Sequence, residues 1–196
     1  MRIGVDIDNV ILNISPLLEK RVQEQFGPEW NFWNIYRKYR LADSMCLSFW
    51  DEVRFWKKYG LEIAVDSSPL PFCRKSLKWL KQQGIKIYLI TARPNIMKPA
   101  TIAWLRKHRI PYDDIFFGST NKGKLCKELG VHVMVEDSDK NIKNLVKHGI
   151  LTVAMPYPYN ANLRHRNLVH LGDWRYIAQF IWQLKQIRAA SAFALA

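Results

Sequence analysis

The sequence predicts an α/β protein: a three-layer sandwich with a central parallel sheet, and a small helical cap inserted after the first strand. Three observations carry this. Short, continuous apolar runs recur along the chain, helical patterns separate most of them, and an aromatic-rich stretch near the N-terminus breaks the alternation. Continuous rather than alternating apolarity marks strands covered on both faces. Strand–helix alternation with short connections builds parallel βαβ units.

The first predicted strand is "RIGVD" (2–6). The next segment, "SPLLEKRVQEQFG" (15–27), reads as a helix with Ser15 as its cap, Pro16 in its first turn and Gly27 at its end. A second helix is expected over 43–60, and no strand up to residue 71. The predicted division is therefore a core of residues 1–13 and 71–196 and a cap of residues 14–70. Aromatic residues at helical spacing read first as the cap's own core. Phe32, Trp33, Tyr36 and Trp50 are also candidates to stack on a nucleobase, a contact worth ~1–3 kcal/mol per base.

From residue 71 the alternation is regular. Helices are expected at 71–84, 99–110, 122–130, 138–149 and 173–189, with Gly84, Gly130 and Gly149 as stops and Ser138 and Asp173 as caps. Strands are expected at "IKIYLIT" (85–91), "DIFFG" (114–118), "HVMVED" (132–137) and "LTVAMP" (151–156). "PYPYN" (156–160) is a loop, with Asn160 either a turn residue or a contact at the site's rim.

Composition narrows the function classes. A chain of 196 residues, 48% hydrophobic and 24% charged, supports one sizeable core or a core plus a small lobe. The net charge of +13 attracts polyanions, but the basic residues are dispersed, and the densest run is "RKHR" (106–109). Nucleic acid is an open partner and not the favoured one. Three cysteines without a C-x-x-C pair argue against a disulfide framework or structural zinc and fit a reducing cytosol. His165 and His170 read as surface residues. The N-terminus opens directly on a strand, with no secretory pattern, and no run approaches the ~20 apolar residues that span a bilayer. The apolar tail "AASAFALA" (189–196) is too short to span. A cytoplasmic location without membrane partners is the expectation.

The informative residues sit at strand ends. In open parallel sheets, ligands bind beyond the carboxyl ends of the strands. The first strand delivers Asp6 and Asp8, the second Thr91, and the fourth Glu136 and Asp137, with Lys122 and Lys124 just before it. Carboxylates gathered in a partly buried place repel one another and pay for lost hydration. A hard divalent cation offsets this, and Mg²⁺ typically takes one or two carboxylates, waters and a phosphate oxygen.

These residues also carry a resemblance. "VDIDNV" resembles the D-x-D-x-[VT] motif of the haloacid dehalogenase-like phosphohydrolases. "LITA" resembles their second motif, and the lysine ahead of "VMVEDS" their third and fourth, all in family order. "TARP", "CKELGVHVMVEDS" and "PYPYN…LGDW" are similar to a bacterial and phage nucleotidase-like group related to the 5'(3')-deoxyribonucleotidases.

The resemblance implies a Rossmann-like core and a Mg²⁺-dependent phosphomonoester hydrolase acting through an aspartyl-phosphate, on (deoxy)nucleoside 5'-monophosphates. It implies Asp6 as nucleophile and Asp8 as acid and base. Thr91, Ala92, Arg93 and Lys124 would bind phosphate. Asp6, the backbone carbonyl of Asp8 and Asp137 would hold Mg²⁺, with Glu136 a further candidate ligand. Lys124 is preferred to Lys122, which sits at the helix mouth, and to Lys127, which lies further along. Arg93 stands where the animal deoxyribonucleotidases carry Pro, and it either clamps phosphate or faces solvent. Two rival readings are a phosphatase acting on nucleic-acid ends and a nucleic-acid-binding protein on a retired scaffold.

Overall fold

The computed structural model describes residues 1–193. In chain order its elements begin with β1 (Arg2–Val5), β2 (Leu12–Asn13), α1 (Ser15–Phe26), α2 (Phe32–Ile35), α3 (Leu41–Met45), α4 (Phe49–Asp66) and β3 (Ser68–Pro69). They continue with α5 (Cys73–Gln82), β4 (Lys86–Ile90), α6 (Lys98–Lys107), β5 (Asp114–Phe116), α7 (Lys122–Glu128) and β6 (Val133–Glu136). The last are α8 (Asp139–Lys147), β7 (Leu151–Ala154), β8 (Leu168–His170) and α9 (Trp174–Phe193). The final residues of the apolar tail, 194–196, lie outside the described residues.

Six strands form one parallel sheet in the order β5-β4-β1-β6-β7-β8. The strand period of two sorts its side chains between two cores. Ile3, Val5, Ile87, Leu89, Val133 and Val135 face one cluster, which includes Leu77 of α5, Trp104 of α6 and Ile177 of α9. Ile90 and Met134 face the other, with Cys126 of α7 and Leu145 of α8. The three layers follow from that alternation. Gly4 belongs to the second face, where a Cβ would lie 2.5 Å from Met134 Sδ, so a larger residue there would require the Met134 side chain to move.

The five strands expected from apolar runs are all present. β8 was missed because it is three half-buried residues at the sheet edge, too short for a periodic signal. His170 lies in it, its Nε2 3.1 Å from the Leu163 carbonyl, rather than free on the surface; His165 is exposed. The chain leaves the sheet layer at β2 and returns at β3, which pair antiparallel (Leu12 with Pro69, Asn13 with Ser68), and α1 to α4 lie between them. Trp104 braces the return by donating its indole N–H to the Ser67 carbonyl at 2.8 Å.

The expectation of no strand between β1 and residue 71 gives way to β2 and β3, each only two residues long and so without a readable period, and two further local expectations change. Ser15 does not cap α1; Ile14 holds that position, and the Ser15 hydroxyl donates to Tyr36 Oη at 3.0 Å. The helix expected at 43–60 is two helices. Cys46 breaks the first with a left-handed φ of 55°, and Ser48 starts the second by accepting from Asp51 N–H at 3.1 Å. Of the aromatic residues between β2 and β3, Phe55 is fully buried against Phe26 and Tyr59, whereas Trp33 and Trp50 are 71% and 67% exposed. Cys46, Cys73 and Cys126 are free thiols. Among the described residues no helix is long and apolar enough to cross a membrane.

Candidate active site

The site begins where β1 ends. Asp6 N–H donates to the Val135 carbonyl at 3.0 Å, extending the β1–β6 pairing by one residue. The chain then turns tightly. The Ile7 carbonyl accepts from Ile11 and Leu12 N–H at 2.9 and 2.8 Å, and Asn9 takes a left-handed φ of 56°, a conformation asparagine tolerates better than most residues. The turn is pinned from outside, since Trp174 donates its indole N–H to the Val10 carbonyl at 2.7 Å. Asp6 is thereby held in the sheet while Asp8 stands on the loop above it.

Lys122, not Lys124, meets the acids. Its Nζ is 2.7 Å from Asp6 Oδ1 and 2.7 Å from Glu136 Oε2, and its side chain has no exposure. Lys124 lies 70% exposed beside Glu128, with Nζ 3.8 Å from Oε1. Two positions on a helix differ by roughly 200° in direction, so only one lysine can face the sheet. Lys122 is the first residue of α7, and the helix mouth points at the strand ends. Gly123 seats that helix: a Cβ there would meet His148 Nδ1 at 2.5 Å, and its N–H donates to Asn144 Oδ1 at 2.7 Å.

Glu136 is a bracket. Its Oε1 accepts from the N–H groups of Asp137 and Ser138 at 3.2 and 3.0 Å while Oε2 takes Lys122. Asp137 has another set of donors. Its Oδ2 accepts from Asn9 Nδ2 at 3.3 Å and from the Tyr159 hydroxyl. Asn160 does not contact a rim. It is fully buried and donates through Nδ2 to the carbonyls of Asp137 (2.6 Å) and Met155 (2.8 Å). Tyr159 and Asn9 were not foreseen. Tyr159 stacks on Tyr157 at 5.5 Å, inside an aromatic group with Tyr36 and Tyr39. Nothing in "PYPYN" distinguishes a tyrosine that reaches an acid from one that only packs.

On the other side, Arg93 is buried, and its donors are engaged by neighbouring side chains. Its Nε and Nη2 donate to Asp8 Oδ2 and Oδ1 at 3.0 and 2.6 Å, and Nη1 donates to Thr101 Oγ1 at 2.9 Å. Thr91 is buried at the end of β4, and its Oγ1 accepts from Arg93 N–H at 3.2 Å. Ala92, between them, is exposed.

The electrostatics follow from burial. Asp6 is pushed up to about 7, chiefly by burial and then by Glu136, against the pull of Lys122. Burial, followed by Glu136 and Asp6, also raises Asp137 well above the carboxylate range. Burial works against the Lys122 ammonium, but Asp6 and Glu136 more than offset it and hold its pKa above the ordinary value. Tyr159 is driven up by burial and then by Asp137, so the phenol keeps its proton as donor.

Oxygens of Asp6, Glu136 and Asp137 lie within 4.8 Å of one another in a buried place. One ammonium contacts two of these three carboxylates, and the all-oxygen donor set suits a hard divalent cation. Glu136 is already engaged on both oxygens. Asp6 Oδ2 and Asp137 Oδ1 accept no hydrogen bond among the described residues, so these two aspartates fit such an ion best.

A cavity of about 400 Å³ adjoins the site. Asp8, Arg93, Asp137 and Tyr159 line it together with Tyr36 and Trp56 from the helical segment. Its wall is largely apolar, interrupted by the Arg40–Glu52 ion pair at 2.6 Å.

The profile of the family described as 5' nucleotidase, deoxy (pyrimidine), cytosolic type C protein matches residues 1–188. A Bacillus cereus protein named "Putative nucleotidase" is 24% identical over 190 residues, covering 92% of this chain and 98% of its own. A Chlorobaculum tepidum protein named "Putative 5'(3')-deoxyribonucleotidase" is 25% identical over 191 residues, covering 91% and 89%. Among solved structures, a haloacid dehalogenase-like family hydrolase from Streptococcus pneumoniae superposes with a TM-score of 0.65 at 12% identity, over 92% of this chain and 97% of that one.

Proposed function

This chain belongs to the 5' nucleotidase, deoxy (pyrimidine), cytosolic type C family, and on that premise we propose that it is a haloacid dehalogenase-like hydrolase that cleaves (deoxy)nucleoside monophosphates by way of an aspartyl-phosphate. One observation supports the reading above the others. Asp6, Lys122, Glu136 and Asp137 converge at the carboxyl end of β1 and β6, next to a cavity walled partly by the inserted helices.

In the proposed reaction an Asp6 carboxylate oxygen attacks phosphorus. The ester P–O bond breaks, its electron pair goes to the leaving oxygen, and Asp8 supplies the proton that oxygen takes up. Water then attacks phosphorus, Asp8 takes its proton, and the Asp6 oxygen leaves as carboxylate. The Lys122 ammonium, 2.7 Å from Asp6, opposes the repulsion between carboxylate and phosphate. Thr91, whose hydroxyl oxygen accepts from Arg93 N–H, retains its own proton for a phosphate oxygen. Asp6 and Asp137, with the Asp8 carbonyl, would hold Mg²⁺, which when bound draws charge from the phosphoryl oxygens. The helical segment between β2 and β3 would act as a cap over the cavity, excluding water until the leaving group departs.

The test is a panel of nucleoside 5'- and 3'-monophosphates, sugar phosphates and 3'-phosphorylated oligonucleotides, with Mg²⁺ and with chelator. Mononucleotides turned over fastest, and only with the metal, is the expected result. Preference for oligonucleotide ends with a steep salt dependence would replace mononucleotides with nucleic-acid ends as the substrate.

A further inference from the structure

Among the described residues Arg93 is the one buried arginine, at 8% exposure. Burying a guanidinium is costly unless its donors are met. Here three of its nitrogens donate to side chains. Two grip both oxygens of Asp8, and the third goes to Thr101, itself without exposure. Both residues line the cavity, but the Asp8 side chain is 38% exposed and the Arg93 side chain only 7%. The order is therefore a buried threonine on α6, a buried arginine, and an acid presented to the cavity. A fork–fork pair fixes the plane of a carboxylate as well as its place. A residue recruited chiefly to bind phosphate would leave its fork facing the cavity; this fork is filled by Asp8.

Resting on the assignment of Asp8 as the acid and base, we propose that Arg93 is a positioning residue that acts through Asp8. It aims the carboxyl at the leaving oxygen and receives the negative charge that Asp8 acquires when its proton departs. The step balances: the O–H bond of Asp8 breaks, its electrons stay on the carboxylate, and the proton joins the oxygen released from phosphorus. The guanidinium faces charge that grows in the transition state, which is where a fixed donor contributes most. Thr101 holds the arginine, so the device spans the loop after β1, the loop after β4 and α6.

The test compares leaving groups. A nucleoside alkoxide needs the proton, whereas p-nitrophenolate leaves without it. First-turnover release of the leaving group is measured for wild type, Arg93→Gln, Arg93→Lys, Asp8→Asn and the Asp8→Asn/Arg93→Gln double variant, with thermal melts of each. Arg93→Gln is expected to slow release from a nucleoside 5'-monophosphate roughly 100-fold. Its effect on p-nitrophenyl phosphate should stay below about tenfold, and the double variant should be no slower than Asp8→Asn alone. Arg93→Lys keeps the charge and loses the fork, so it should show the same discrimination and serves if the glutamine variant does not fold. Equal losses on both substrates with raised KM, additive to Asp8→Asn, would make Arg93 a phosphate clamp and overturn the proposal while the role of Asp8 stands. Asp8→Asn releasing both leaving groups at the wild-type rate would remove the acid–base assignment and this inference with it.

Discussion

Lys122 Nζ lies 2.7 Å from Asp6 Oδ1, although 116 positions separate the two residues in the chain, and both are buried where β1 ends. The same ammonium touches Glu136, so one positive charge ties the loop after β1 to the end of β6.

The lysine assignment is tested by substitution. Lys122→Met leaves Asp6 and Glu136 facing each other without a cation. It should destabilise the fold by about 3–5 kcal/mol and slow turnover roughly 100- to 1,000-fold. Lys124→Met removes an exposed side chain and should change stability by no more than about 0.5 kcal/mol, with unchanged turnover. Urea denaturation and steady-state rates on the two variants check both halves.

The raised aspartates set a pH dependence. Asp6 has a folded pKa of about 7 against an ordinary value of 3.8, and Asp137 is raised as well. Between those values the folded protein binds more protons than the unfolded chain, so the contribution of these groups to stability falls as pH rises. A cation on the two aspartates competes with those protons. Mg²⁺ should therefore raise Tm more at pH 8 than at pH 5. Melting curves with and without Mg²⁺ across that range measure it, and an equal shift at both ends would contradict it.

Tyr159→Phe removes one of two side-chain donors from Asp137 Oδ2 and keeps the ring in its stack. Outer donors to a metal-binding carboxylate typically contribute 10- to 100-fold, so the Mg²⁺ concentration for half-maximal activity should rise by about that factor. Activity titrated with Mg²⁺ reads it directly.

Asn160→Ala strips one donor each from the buried carbonyls of Asp137 and Met155. At about 1–3 kcal/mol for each unsatisfied group, the loss should be roughly 2–6 kcal/mol. A urea midpoint lowered at constant m-value would show it.

The fold was legible where burial is two-sided. β1, β4 and β6 carry continuous apolar runs because both faces are covered, and helix stops at Gly84, Gly130 and Gly149 coincide with positive φ. β8 was not legible, because a half-buried edge strand of three residues has no period to read. Ser15 misled because a serine before a proline has the form of a cap, while here its hydroxyl goes to Tyr36, 21 positions away. At the site, strand ends announced Asp6, Thr91, Glu136 and Asp137. The choice between Lys122 and Lys124 needed the helix's angular phase, and the grips of Tyr159 on Asp137 and Arg93 on Asp8 are long-range contacts that no local pattern encodes.

The most direct measurement of the central claim is Mg²⁺-dependent hydrolysis of a deoxyribonucleoside monophosphate by Asp6→Asn beside wild type, with circular dichroism on the same samples. The account predicts an intact fold and turnover reduced beyond detection. A folded Asp6→Asn protein that hydrolyses the nucleotide at the wild-type rate would contradict it.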